Sequence, residues 1–302
     1  MQKITPHLWF DTQAKEAAEF YTSLLPNSKI THSSTLHNTP SGDTDIVSFE
    51  LAGEPFMAIS AGPYFKFNPS ISFHIKCSTK EEVDALWAKI SEGGQVLMEL
   101  GSYPFSERYG WCNDKYGLSW QIIYNGDPST SSAQKITPVM MFVQNNLGKA
   151  EEAINFYTSV FKHAPGGGSA EIKMLMKNAA GDPTGAEGQV KYGSFALLGT
   201  EFGAMDSAGE HNFQFNEAVS IIVSCDTQGE IDYYWGKLSA VPESEQCGWL
   251  KDKFGVSWQI TPTAMEEMMQ EKDEKKLARV TEAFLKMKKF DIAELKKAAE
   301  GE

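Results

Sequence analysis

Two glutamines stand where a polar side chain has no packing reason to recur. Gln121 lies near the end of "YGWCNDKYGLSWQI" (109–122), and Gln259 holds the same place in "CGWLKDKFGVSWQI" (247–260). A side-chain amide offers both donors and an acceptor, so paired amides on inward strand positions suit recognition of a small polar molecule. Trp9, Phe65, Phe67 and Trp120, with Phe213, Phe215 and Trp258 in the second half, could wall such a site, although core packing is the plainer expectation for any one of them. Among the histidines, His7 and His74 each sit in a strand pattern, and a His7/His74 pair is geometrically conceivable. The plainer expectation for these two, and for His32 and His37, is a hydrogen-bonded or solvent-facing ring. His163 and His211 fall in loop contexts.

Other chemistries find no support. "PGGGSA" (165–170) follows a helix pattern and precedes a strand, the wrong order for a phosphate-binding glycine turn, and it lacks the Lys-Ser/Thr pair. Cys112 lies in a strand-turn context and its counterpart is Leu250, so a duplicated nucleophile is not expected. Four cysteines, Cys77, Cys112, Cys225 and Cys247, are too few and too scattered for a disulfide scaffold or zinc ribbon, which suggests free thiols in a reducing cytoplasm. A net charge of −13 repels phosphate backbones and anionic lipid, so neither nucleic acid nor a membrane surface is an expected partner. The opening "MQKITPHLWF" carries no secretory pattern, and no apolar run reaches the length of a spanning helix.

The elements that must position these residues occur twice. "KEAAEFYTS" (15–23) matches "EEAINFYTS" (151–159), "FKFNPSIS" (65–72) matches "FQFNEAVS" (213–220), and "EEVDALWAKI" (81–90) matches "GEIDYYWGKL" (229–238). Tandem duplication follows, with one copy at 1–124, a Ser/Pro/Gly-rich linker at 125–135, a second copy at 136–262 and a helical extension at 263–302. Alternation at 3–10 predicts a strand. Residues 13–24 place Ala14, Ala17, Phe20, Tyr21 and Leu24 at helical steps, and strands follow at 29–36, 45–52 and 55–61. A strand at 70–77 leads to a helix begun by a capping box, Thr79 with Glu82, repeated as Thr227 with Glu230. Each copy thus reads β-α-β-β-β twice over, an α+β fold.

That order, with "ITPHLWFD", "EAAEFYTSLLPNSKI" and "GWCNDKYGLSWQI", resembles the PhnB-like branch of the vicinal oxygen chelate superfamily, which includes glyoxalase I, bleomycin-resistance proteins and extradiol dioxygenases. The branch is often labelled demethylubiquinone methyltransferase-like. The resemblance implies curved sheets built from β-α-β-β-β modules around a cavity, and two domains that pair with each other, with a homodimer as a further possibility. Metal-dependent members set His and Glu on the strands lining that cavity. The corresponding positions here are Gln121 and Gln259 on the last strand, Thr5 and Thr137 on the first, Ser72 and Ser220 on the fifth, and Ser60 and Asp206 on the fourth. Neutral amides and hydroxyls are poor ligands for a divalent transition metal, so the chelating set looks erased in both copies. A methyltransferase would want a glycine-rich turn after its first strand, which is absent.

The expected function is therefore metal-independent binding of a small molecule, with no cofactor. The ligand residues would be Thr5, His7, Trp9, Ser60, Ser72, Trp120, Gln121, Thr137, Asp206, Ser220, Trp258 and Gln259. The competing expectation is a lyase, isomerase or dioxygenase holding a divalent metal through an unconventional ligand set. In the extension, Thr263 with Glu266 and Asp291 with Glu294 predict helix starts. An apolar stripe at Leu277, Val280, Phe284 and Met287 predicts docking on the protein's own domains, a dimer contact, or a lid over a cavity mouth.

Overall fold

The computed structural model describes residues 2–39, 41–126, 134–182, 184–269 and 273–301. Most of the expected linker, 127–133, lies outside the described residues, as does the Glu266 side chain. Copy one runs β1 (Ile4–Phe10), α1 (Ala14–Thr22), β2 (Lys29–Thr39), β3 (Gly42–Leu51), β4 (Glu54–Ser60), then β5 (Ile71–Cys77), α2 (Lys80–Ile90), β6 (Gln95–Tyr103), β7 (Ser106–Asn113) and β8 (Ser119–Tyr124). Copy two repeats the first module as β9 (Ile136–Phe142), α3 (Ala150–Lys162), β10 (Ala170–Lys177), β11 (Val190–Leu197) and β12 (Thr200–Asp206). Its second module is β13 (Val219–Cys225), α4 (Gln228–Leu238), β14 (Trp249–Lys251) and β15 (Ser257–Pro262). This last module has one strand fewer, because 239–248 is too short for a long hairpin and turns through a 3-10 segment at Pro242–Ser244. Three helices end the chain, α5 (Thr263–Met269), α6 (Glu274–Leu285) and α7 (Ile292–Glu300).

The sheets do not follow the copies. One has seven strands in the order β14-β15-β13-β1-β4-β3-β2, the other eight in the order β10-β11-β12-β9-β5-β8-β7-β6. Each therefore takes one module from each copy, joined by antiparallel pairs, β1 with β13 and β5 with β9. Near the crossovers the two "FN" blocks clasp reciprocally. Asn68 Nδ2 donates to the Gln214 carbonyl (3.0 Å) and Asn216 Nδ2 to the Lys66 carbonyl (2.8 Å). Helices α1 and α4 cover one face of the seven-stranded sheet, and α2 and α3 one face of the eight-stranded sheet.

The twice-written "DK(Y/F)G.SWQI" builds the same buried polar knot in each copy. Asp114 Oδ1 accepts the backbone N–H of Tyr116 and Leu118, while Oδ2 accepts from Tyr21 Oη (2.8 Å) and Trp120 Nε1 (2.9 Å). Asp252 does the same with Phe254, Val256, Tyr157 (2.7 Å) and Trp258 (2.9 Å). Burial raises both carboxyl pKa values, and the four donors draw them back down. Each knot pins the last hairpin to the first helix of its own copy. The helix starts hold as well. Thr227 and Glu230 form the reciprocal box, and Thr79 accepts from the Glu82 N–H, although the Glu82 carboxylate reaches back one residue further, to the Ser78 N–H.

Candidate functional site

Strand alternation divides the candidate residues between two faces. Register places Ser72 and His74 on β5 opposite Val139 and Thr137 on β9, and beside Ser119 and Gln121 on β8. These share the face of the eight-stranded sheet away from α2 and α3. In the seven-stranded sheet, His7 lies opposite Ser220, and Thr5 opposite Ile222, on the face away from α1 and α4. Gln259 joins them from β15, and Trp9 from β1. The two helix-free faces are referred to as cups.

Four expected site residues lie on the other face. Trp120 and Trp258 are at most 1% exposed and belong to the carboxylate knots. Ser60 Oγ accepts the Ala14 N–H at the start of α1 (3.1 Å). Asp206 accepts the N–H groups of Gly148, Ala150 and Val190 (2.8, 3.2 and 2.9 Å), tying the start of α3 to β11. These are helix-terminus contacts, filling donors that a first turn leaves unpaired. The conceivable His7/His74 pair is also corrected, because the exchange of modules puts the two rings in different sheets.

The eight-stranded cup contains a connected polar chain. Gln121 Nε2 donates to Ser72 Oγ (2.7 Å), and Gln121 Oε1 accepts from Tyr109 Oη (2.5 Å) and lies 2.6 Å from His74 Nε2. With Oε1 as acceptor, Nε2 of His74 carries the proton, which leaves Nδ1 as a lone pair. Burial lowers the His74 pKa to about 4, so the ring is neutral at ordinary pH. Its register partner Thr137 is 2% exposed, and Thr137 Oγ1 has no hydrogen-bond partner among the described residues. Tyr192 stacks on the His74 ring with 5.9 Å between centroids. Further along, Lys76 and Lys173 both pair with Glu201. Tyr109, His74 and Tyr192 join this chain although none of them recurs in the other copy. Tyr109 stood in the opening phrase, but copy two has Cys247 there, which hid it from a search for duplicated residues.

The seven-stranded cup is the more aromatic. Gln259 Nε2 donates to Ser220 Oγ (2.9 Å). The His7 ring meets Trp249 edge-on at 5.2 Å, and Trp9 packs on Trp249 (5.8 Å) and Phe65 (5.0 Å). His7 Nδ1 and Ser257 Oγ are buried without partners among the described residues, and burial lowers the His7 pKa to about 3.

Among the described residues no three His, Cys, Asp or Glu side chains come together as a metal centre. Each cup sets a buried neutral imidazole beside serine hydroxyls and a side-chain amide. In the eight-stranded cup the amide oxygen is already taken by Tyr109 and His74. That donor set does not fit a divalent transition metal. A cleft of about 420 Å³ lies outside both cups, on Gln144, Leu147 and residues 207–212.

A sequence profile of the family described as 3-demethylubiquinone-9 3-methyltransferase matches residues 2–123 and again 134–261. The chain belongs to that family. A PhnB protein from Bacillus cereus is 44% identical over 41% of this chain and 99% of its own, with a TM-score of 0.39. Glyoxalase I from Zea mays is 13% identical over 90% of this chain and 98% of its own, with a TM-score of 0.53, a likeness of fold alone. No curated protein matches the sequence. The architecture is the tandem vicinal oxygen chelate fold, and no helix among the described residues is long and apolar enough to cross a membrane.

Proposed function

We propose that the protein binds a small, hydroxyl-bearing organic molecule in the eight-stranded cup, without a metal ion. The observation that carries this reading is the meeting, at one register position, of a neutral His74, whose Nε2 is engaged by Gln121 so that Nδ1 carries the lone pair, with the Thr137 hydroxyl, buried without a partner among the described residues. A single ligand hydroxyl answers both, donating to Nδ1 and accepting from Thr137 Oγ1. The Gln121–Tyr109–Ser72 chain fixes the imidazole tautomer in advance, so ordering it adds little to the cost of binding. Tyr192 supplies a flat wall, and Met174 and Met176 at the rim are unbranched and adaptable enough to admit a ligand into a narrow cup.

Methyl transfer, which the family description names, draws no support from the site. The glycine-rich segment lies between α3 and β10, and a Cβ at Gly168 would come within 2.3 Å of the Phe161 carbonyl, so that glycine serves helix-end packing. The test is a thermal-shift screen of phenols, enols and aliphatic alcohols on protein freed of metal with chelator. A binder should raise the midpoint of the wild type and leave His74→Leu unmoved. A compound that stabilises His74→Leu equally well, or wild-type binding that requires added zinc, nickel or iron, would sink the proposal.

A further inference from the structure

The two cups differ in what lies over them. β14 and β2 are the opposite edges of the seven-stranded sheet, and the C-terminal segment is tied to both. At one edge α6 packs against β2. At the other, the Leu285 carbonyl accepts from Gln246 Nε2 (2.8 Å), and the carbonyls of Met287 and Lys288 accept the Cys247 and Gly248 N–H groups (2.8 and 2.7 Å) just ahead of β14. These backbone bonds take the place of the strand that copy two lacks, so the tail closes an edge that would otherwise be unpaired. Gln228 grips the segment from α4, donating to the Phe290 carbonyl and accepting the Ile292 N–H (both 3.0 Å). The Phe290 ring lies over Gly248, where a Cβ would come within 2.4 Å of it.

Since α1 and α4 already occupy the other face, a helix reaching from edge to edge crosses the cup. Val280 at its centre is fully buried. His32 on β2 has its Nε2 shielded from solvent without a partner among the described residues. The positions equivalent to His32 and Ser34 in the eight-stranded sheet are Met174 and Met176, which pair with Ser194 and Tyr192 as His32 and Ser34 pair with Ser48 and Ile46. Those methionines are 40% and 46% exposed.

We infer that the C-terminal segment is a lid seated across the seven-stranded cup, leaving the methionine rim of the eight-stranded cup exposed. The inference concerns which cup is covered, and its test uses no ligand, so it stands or falls apart from the proposed binding role. Hydroxyl-radical footprinting read by mass spectrometry compares the wild type with two full-length variants, Val280→Asp, which places a charge in the helix seat, and Phe290→Ala, which weakens the anchor more gently. Both should raise labelling of Trp9, Trp249 and His32 by about threefold or more while Met174 and Met176, already reactive in the wild type, stay unchanged. Two results would overturn it. One is free labelling of Phe284 and Met287 in the variants with no change at Trp9, Trp249 and His32. The other is protection of Met174 and Met176 in the wild type.

Discussion

The two buried imidazoles make the fold sensitive to acid in a way that one substitution can apportion. Burial holds His74 at about 4 and His7 at about 3, against an ordinary value of 6.5. A base whose folded pKa lies below its unfolded value is protonated first in the unfolded chain. The stability it supports is therefore complete above pH 6.5 and drains away as pH falls toward the folded values. The full gaps correspond to about 3 kcal/mol for His74 and about 5 kcal/mol for His7, of which roughly 2 kcal/mol each is lost by about pH 5. Asp114 and Asp252 act with the opposite sign, because their pKa values are raised and protonation favours the folded chain. Comparing the wild type with His74→Gln cancels that contribution. Gln keeps a donor for Gln121 but cannot titrate. In urea unfolding at about pH 8 and about pH 5, the variant should lose roughly 2 kcal/mol less than the wild type over that interval, with similar denaturant slopes. Equal acid losses in the two proteins would refute the reasoning, as would an NMR titration placing the His74 ring near 6.5.

Two further outcomes follow from packing. Asp252→Asn turns an amide N–H toward Trp258 Nε1 or Tyr157 Oη and should cost about 2–4 kcal/mol in the same urea assay, with Asp114→Asn similar, since each leaves a buried donor unanswered. Gly248→Ala meets both a φ of 82° and the Phe290 ring, so it should loosen the tail anchor. Hydrogen exchange should then rise at residues 285–295 while the knots around Asp114 and Asp252 stay protected.

Much of the fold was legible because duplication shows in the residues themselves, down to the threonine helix caps. The exchange of modules was not. A strand such as β1, with apolar residues on both sides, pairs as well with β5 as with β13, and nothing in the local pattern chooses between them. That choice decides whether His7 and His74 meet. The misplacement of Trp120 and Trp258 had a simpler cause. Neighbours on a strand point to opposite faces, so Gln121 and Trp120 could never share a cup, nor Gln259 and Trp258. Ser60 and Asp206 end their strands beside helix starts, where a short acceptor caps backbone N–H groups, a role that a ligand-position mapping does not foresee.

Both buried histidines come from the first copy, and the corresponding residues of the second are Val139 and Ile222. In two self-contained halves, that division would leave one barren and the other with a surplus. Because both sheets are hybrids, each instead inherits one of the two buried rings, His7 in one and His74 in the other. The heritable unit here is the hybrid sheet, and a lesion in either gene half would reach both.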